Sequence, residues 1–395
     1  MATQPNIIVF HADSWDGRKL AALGGDSSIR TPHADRLAAR SAHVAQAYCN
    51  VPLCCPSRAV LWSGRYGHRI GAWNNYQGLP IDDERFRGSF TELVDTVPTY
   101  PTLMTRFREA GYRTNLVGTL DFTSGGHSIG ARLSAWLRSS GLDLPVLSGP
   151  RDDVRGEGER ANPQDWQFVD AGCQWITQQA AADEPFFLSL GVRCPHPYRT
   201  TSETWLERID PDTIALPEIE ESPHPIVAAV QRARHCDRPI PDEQRRFLRR
   251  RYAAMIAEAD AMLGAVMDAV EQAGLWENTY FVFLSDHGEM NLEHNLVFKS
   301  MFHEPSSRVM MMLAGPGVQP GLRLSEGCAS LVDVAPTLLE LAGIEPNVEL
   351  DGHSLTGALS GRGDLPEEAF GEYHANGVPT GGFMLRSGDW KYHTY

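Results

Sequence analysis

The chain has 395 residues, 42% of them hydrophobic and 22% charged, with a formal net charge of -15 at pH 7. That length and balance fit one large globular core plus a small second unit, and no apolar run approaches a membrane span. The acidic charge argues against nucleic acid or an anionic membrane surface as a general partner, so an anionic substrate would need local cations.

Met1-Ala2-Thr3-Gln4-Pro5 passes directly into an apolar run, without a basic region or small-residue cleavage site, which reads as a cytoplasmic chain. Seven cysteines, an odd number, argue against a disulfide framework. Cys49, Cys173, Cys194, Cys236 and Cys328 read as small core residues. Asn6 to Asp13 is a continuous apolar run ending in a carboxylate, the pattern of a strand buried on both faces of a parallel sheet. Helical patterns follow over 101–110, stopped by Gly111, over 164–182, and over about 242–273, stopped by Gly274. Pro185 to Val192 predicts a strand leading to Pro195-His196-Pro197, and Tyr280 to Ser285 another leading to Asp286-His287-Gly288-Glu289. Segments 148–163 and 210–241, rich in turn formers or charge, predict surface loops. After Ser360-Gly361, short pieces at 371–374, 382–387 and 390–395 predict a small antiparallel subdomain. The alternation predicts an α/β fold with a doubly wound sheet over residues 1–360 and a C-terminal subdomain over 361–395. Such sheets bind ligands at the carboxyl ends of their strands.

Cys54-Cys55-Pro56-Ser57-Arg58 is the most informative stretch. Pro56 suits the first turn of a helix, the free N–H groups of that turn hold an anion, and Arg58 adds a forked donor. A buried thiol pair before an ordinary helix is the bland alternative. Asp13, Asp286 and His287, delivered at two strand ends, form an oxygen-rich set with one imidazole that suits Ca²⁺ or Mn²⁺.

The Cys-x-Pro-Ser-Arg motif resembles the signature of the sulfatase family, whose first motif cysteine is oxidised to formylglycine by a formylglycine-generating enzyme. The likeness extends along nearly the whole chain, at Asp13-Ser14-Trp15-Asp16-Gly17-Arg18, Trp73-Asn74-Asn75, Leu120-Asp121-Phe122-Thr123-Ser124-Gly125, Pro195-His196-Pro197-Tyr198, Ser285-Asp286-His287-Gly288-Glu289, Lys299 and Trp390-Lys391-Tyr392. It implies an alkaline-phosphatase-like fold, with a large mostly parallel sheet between helices and a small C-terminal antiparallel sheet. Within the family these motifs are most similar to a branch acting on 2-sulfated glucuronate in glycosaminoglycans, so the substrate implied is a small anionic sulfate ester, either a uronate 2-sulfate or an aryl or smaller ester. By motif position, Asp13, Cys54, Asp286 and His287 would hold one divalent metal, and the hydrated aldehyde at Cys54 would attack sulfur. Arg58 would orient it, Lys299 would grip the sulfate, and His196 would protonate the leaving alcohol. His127 and His224 are further pocket candidates, and His303 and His374 are as readily surface histidines.

Two departures matter. Gly118-Thr119 stands where many members carry Gly-Lys, so Thr119 replaces a cation that contacts nucleophile and sulfate. Ser14 stands where the common pattern has a second metal-binding Asp, which lowers the site's charge and brings Mn²⁺ beside Ca²⁺. A phosphonate monoester or phosphodiester hydrolase with the same nucleophile is the nearest rival, and a non-catalytic binding module with an unconverted Cys54 is a rival of another class. An oligomer is compatible with all three.

Overall fold

A computed structural model describes residues 4–20, 28–73, 75, 101–118, 154–182, 184–197, 200–219, 224–374, 378 and 380–395. The first strand, β1 (Asn6–Ala12), is buried at every position. It is followed by β2 (Ala42–Val44), β3 (Ala47–Tyr48), β4 (Arg113–Gly118), β5 (Phe186–Val192), β6 (Thr279–Ser285), β7 (Met311–Ala314), β8 (Leu322–Leu324) and β9 (Ala329–Ser330). Seven of these form one sheet in the order β4-β5-β1-β6-β7-β2-β8, and β3 pairs with β9. All neighbours in the large sheet run parallel except at β7, which is antiparallel to both β6 and β2.

Alternate residues of β1 serve opposite faces of the sheet. Ile8 and Phe10 pack with Val169, Ile176, Met255 and Leu263 from the helices Pro163–Gln179 and Asp242–Gln272. Ile7 and Val9 pack with Leu61, Trp62, Phe107 and Leu338 from the helices Cys54–Ser63, Leu103–Glu109 and Val334–Leu341. Helices on both faces explain why β1, β5 and β6 are mostly apolar and buried at every position.

The helices expected near 101–110, 164–182 and 242–273 lie within two or three residues of those bounds. The stretch 210–241 departs from the surface-loop reading, because it contains a short 3-10 turn at Pro211–Thr213 and a helix at Pro225–Ala233. Its prolines start these elements, with Asp210 and His224 as side-chain caps accepting the N–H groups of Asp212 and Ile226.

A three-stranded antiparallel sheet, β10 (Glu368–Tyr373), β11 (Gly382–Ser387) and β12 (Trp390–Thr394), closes the chain. Ala369, Tyr373 and Met384 pack with Val51, Leu53 and Val60 beside the start of the Cys54 helix. Asn50 binds it to the main body: its Nδ2 donates to Phe370 O at 2.8 Å, and its carbonyl accepts from Glu372 N at 2.8 Å. Gly288 admits no side chain, since a Cβ would overlap the Pro305 carbonyl.

Burial holds the imidazoles of His43 and His303 at about 3, well below the ordinary 6.5, with nearby arginines assisting at His43, and His294, His393 and Lys391 at His303. The unfolded chain therefore takes up protons first as pH falls. Stability should be complete above 6.5 and decline progressively toward pH 3. The midpoint of urea unfolding should drop between about pH 7.5 and about pH 5, whereas an unchanged midpoint would show that these rings accept charge in the fold.

Candidate functional site

Three strand ends and one helix start converge. Asp13 follows β1, Asp286 and His287 follow β6, His196 lies four residues beyond β5, and Cys54 opens the helix Cys54–Ser63. That helix begins without a side-chain cap at Leu53, and Asn75 of the Trp-Asn-Asn motif takes up the Cys55 N–H through its Oδ1 at 3.1 Å. Gly64, in the left-handed region at φ 69°, ends it.

Asp13, Cys54, Asp286 and His287 are all buried, and each offers a ligand atom within 4.8 Å of the others. Cys54 Sγ lies 3.2 Å from His287 Nε2, which in turn is 3.5 Å from Asp286 Oδ2 and 3.8 Å from Asp13 Oδ1. His287 Nδ1 faces the Gly288 carbonyl at 2.9 Å, so the ring proton is assigned there and the Nε2 lone pair is directed into the cluster. Burial depresses the protonation of His287, which keeps that lone pair available. Asp286 Oδ2 is buried and faces the Arg58 guanidinium. A neutral imidazole and two buried carboxylates, each with a ligand atom within 4.8 Å of the others and of Cys54 Sγ, fit a divalent cation.

Arg58 Nη2 sits 2.7 Å from Asp13 Oδ2 and 2.7 Å from Asp286 Oδ2, and the side chain is fully buried. Its contacts thus bridge the two carboxylates, and any hold on the nucleophile runs through that cluster. Burial alone would raise the Asp13 carboxyl, but His196, Arg58, Lys299 and His287 outweigh it and hold it well below the usual range. Ser14 has φ 69° and supports the cluster from outside: its N–H donates to Asp286 Oδ1 at 3.1 Å and its hydroxyl to Asp13 Oδ1 at 2.8 Å. The Tyr252 hydroxyl holds this turn by donating to Ser14 O at 2.6 Å and accepting from Asp16 N at 3.1 Å.

Lys299 and His196 form the opposite wall. Lys299 Nζ approaches His196 Nε2 at 2.5 Å, and His196 Nδ1 faces the Pro197 carbonyl at 2.9 Å. The Nδ1 proton is assigned to that carbonyl, so Nε2 accepts from the ammonium. Burial pulls the Lys299 ammonium down, yet Cys54, Asp13, Asp286 and Glu289 together lift it above its ordinary value.

The six residues Asp13, Cys54, Arg58, Asp286, His287 and Lys299, with His196 on Lys299, come together. His224 does not join them: it is exposed at the start of the helix Pro225–Ala233, its ring 5.4 Å from that of Tyr395. Thr119, His127 and the Leu120–Gly125 motif lie outside the described residues. His374 contacts Glu372 and the Trp73 ring, and His303 stacks on His294 at 4.0 Å. Tyr252 is an addition from the structure, and Ser14 and Glu289, present in the quoted motifs, gain supporting roles from it. The carboxylate after Asp286-His287-Gly288 was visible in the motif, whereas Tyr252 lies mid-helix with no local signal.

The Sulfatase family model matches residues 5–344. The chain is 34% identical to arylsulfatase K of Danio rerio, covering 99% of this chain and 76% of that protein. It is 33% identical to arylsulfatase K of Homo sapiens, covering 100% and 75%. Among solved structures, the phosphonate monoester hydrolase of Agrobacterium radiobacter superposes with a TM-score of 0.76 at 22% identity, covering 99% of this chain and 87% of that one. A 2-O GAG sulfatase superposes with a TM-score of 0.69 at 21% identity, covering 99% and 83%. At such identities the solved structures speak for the fold, which is the alkaline-phosphatase-like one, while the family match and the full-length likeness to arylsulfatase K speak for descent. The chain accordingly belongs to the sulfatase family and is a sulfuric ester hydrolase.

Proposed function

We propose that the chain cleaves a small anionic sulfate monoester, a 2-sulfated uronate first among them, through a formylglycine made from Cys54 by a formylglycine-generating enzyme. The observation that carries this reading is the placement of Cys54 at a helix start, 3.2 Å from His287 Nε2 within the carboxylate cluster and facing the same centre as Lys299. The uronate preference is what the motif resemblance implies, and the likeness to arylsulfatase K supports it.

Asp13, Asp286, His287 and position 54 would hold a divalent cation, Ca²⁺ or Mn²⁺, which supplies Lewis-acid polarisation of the sulfuryl oxygens. Formylglycine at position 54, once hydrated, would supply a hydroxyl that loses its proton to water and forms an S–O bond to residue 54 as the S–O bond to the alcohol breaks. Lys299 steadies the negative charge on the sulfuryl oxygens, and the Lys299–His196 pair supplies a proton to the departing alkoxide. The second hydroxyl of residue 54 would then lose its proton to water as the carbon–oxygen bond to sulfate breaks, which would return the aldehyde and release inorganic sulfate. Arg58 keeps the two carboxylates together while charge moves.

Cys54→Ala should abolish turnover, and Cys55→Ala should retain it, since Cys54 alone of the two belongs to the cluster. The mass of the Cys54 peptide and rates on nitrophenyl sulfate check this; a dead Cys55→Ala with an active Cys54→Ala would place conversion one residue on. Aryl sulfate should also be hydrolysed faster than aryl phosphonate, and the reverse order would favour the phosphonate monoester rival.

Chelation should inactivate the converted protein, and Ca²⁺ or Mn²⁺ should restore it. Full activity in a preparation free of metal by elemental analysis would remove the cation from the mechanism.

Lys299→Ala should lower kcat by about 10²-fold, the loss typical of one oxyanion donor. His196→Ala should behave differently, because nitrophenolate leaves without a proton and a sugar alkoxide does not. Its loss should be much greater on a sugar sulfate than on nitrophenyl sulfate. Equal losses on both would restrict His196 to holding the sulfate or Lys299.

A further inference from the structure

The lysine reaches the site from an unusual segment. Between Glu289 and Ser300, six residues other than glycine have positive φ: Asn291, Leu292, His294, Asn295, Phe298 and Ser300. Backbone of this kind persists only where its surroundings over-determine it. Lys299 stands between two of these residues, and both are fixed. Ser300 N donates to Pro52 O at 3.0 Å, on the chain that leads into Cys54. Phe298 O accepts from Met290 N at 2.7 Å, which closes the base of the loop. The remaining group at that base, the Phe298 N–H, goes to Glu289 Oε1 at 2.5 Å, and the same oxygen takes the Asn291 N–H at 3.1 Å. Glu289 is only 3% exposed. Its other oxygen, Oε2, accepts no hydrogen bond among the described residues, so the side chain's hydrogen bonding is concentrated on the two ends of the loop.

We propose that Glu289 is a positioning residue for the reaction: by bridging the Asn291 and Phe298 N–H groups it sets the backbone on which Lys299 is aimed at the sulfate. The inference rests on the reading of Lys299 as the cation that grips the sulfuryl group. Glu289 touches neither substrate nor nucleophile and acts only through Lys299. What the geometry requires of position 289 is an acceptor oxygen at that reach. Glutamine supplies it without charge, and aspartate keeps the charge but withdraws the oxygen by one methylene.

The test is a set of rates on nitrophenyl sulfate at saturating metal, normalised to the converted fraction of Cys54, for Glu289→Gln, Glu289→Asp, Glu289→Ala, Lys299→Ala and Glu289→Ala combined with Lys299→Ala. Misplacement of a reacting group by about an ångström can cost about 10²-fold, so Glu289→Ala should lose kcat on that scale. Glu289→Gln should keep most of the rate and exceed Glu289→Asp. In the Lys299→Ala background, Glu289→Ala should add less than about threefold, because residues acting through one group are not additive. Should Glu289→Ala fail to fold, the order of Gln and Asp still decides. Asp above Gln, or a full multiplicative loss in the double variant, would overturn the inference. A Lys299→Ala variant with undiminished kcat would instead overturn the reading of Lys299 on which it rests.

Discussion

Arg58 between Asp13 and Asp286 is the contact on which the site depends. All three side chains are buried, and the guanidinium Nη2 is 2.7 Å from an oxygen of each carboxylate. Removing one partner of such a group leaves an uncompensated buried charge and typically costs about 3–5 kcal/mol. The arrangement joins three elements that are far apart in sequence: the ends of β1 and β6 and the second turn of the Cys54–Ser63 helix. Because Cys54 lies one turn before Arg58 on that helix, the interaction that gathers the carboxylates also fixes where the thiol stands. Ser57 adds to it from the same turn, donating its hydroxyl to Asp286 O at 2.5 Å.

Around this centre, backbone that is costly elsewhere is used for aiming. Ser14 at φ 69° turns both its N–H and its hydroxyl onto the two carboxylates. The αL conformation disfavours side chains that cannot hydrogen-bond locally, and here Tyr252 from the long helix Asp242–Gln272 completes the bonding. The Glu289–Ser300 loop follows the same logic on a larger scale, with Arg249 Nη1 donating to Asn291 O and Arg234 Nη1 to Val297 O, each at 2.6 Å. Two buried cations are thus committed to carbonyl oxygens of one loop, which keeps those polar groups satisfied away from water.

The sheet and its ligand end were legible because a strand buried on both faces has an apolar run as its only possible sequence, and Asp13 and Asp286 mark where two such runs stop. The long helix Asp242–Gln272 was legible for a similar reason, its apolar period running over many turns until Gly274, while the short Leu103–Glu109 was marked by Gly111. Short elements were not: β2, β7 and β8 have three or four residues each, too few to show a period, and their pairing is set by long-range partners such as Ala42 with Leu313. The helix Pro225–Ala233 was hidden because a proline reads equally as a turn or as a helix start. Within the site, residue types with chemistry of their own stood out in sequence, while those that act through geometry did not. Tyr252 sits in a helix whose pattern calls for a large buried side chain at that position, and nothing local distinguishes its hydroxyl from any other.

Charge explains how a chain of net charge -15 is built to meet an anion. The net charge acts at long range and is screened within about 8 Å at physiological salt, whereas contacts inside a dry site are screened far less. Of the two buried cations at the centre among the described residues, Arg58 faces Asp13 and Asp286 and is largely balanced by them. Lys299 is partnered by His196, whose Nε2 accepts from it without contributing a full negative charge. Lys299 therefore carries positive charge on the wall beside Cys54, in the field of Asp13, Asp286 and Glu289, and it is the cation that the proposed sulfate ester would meet there. Asp13 and Asp286 would repel the ester, and the divalent cation proposed at the same cluster would offset that repulsion together with Arg58.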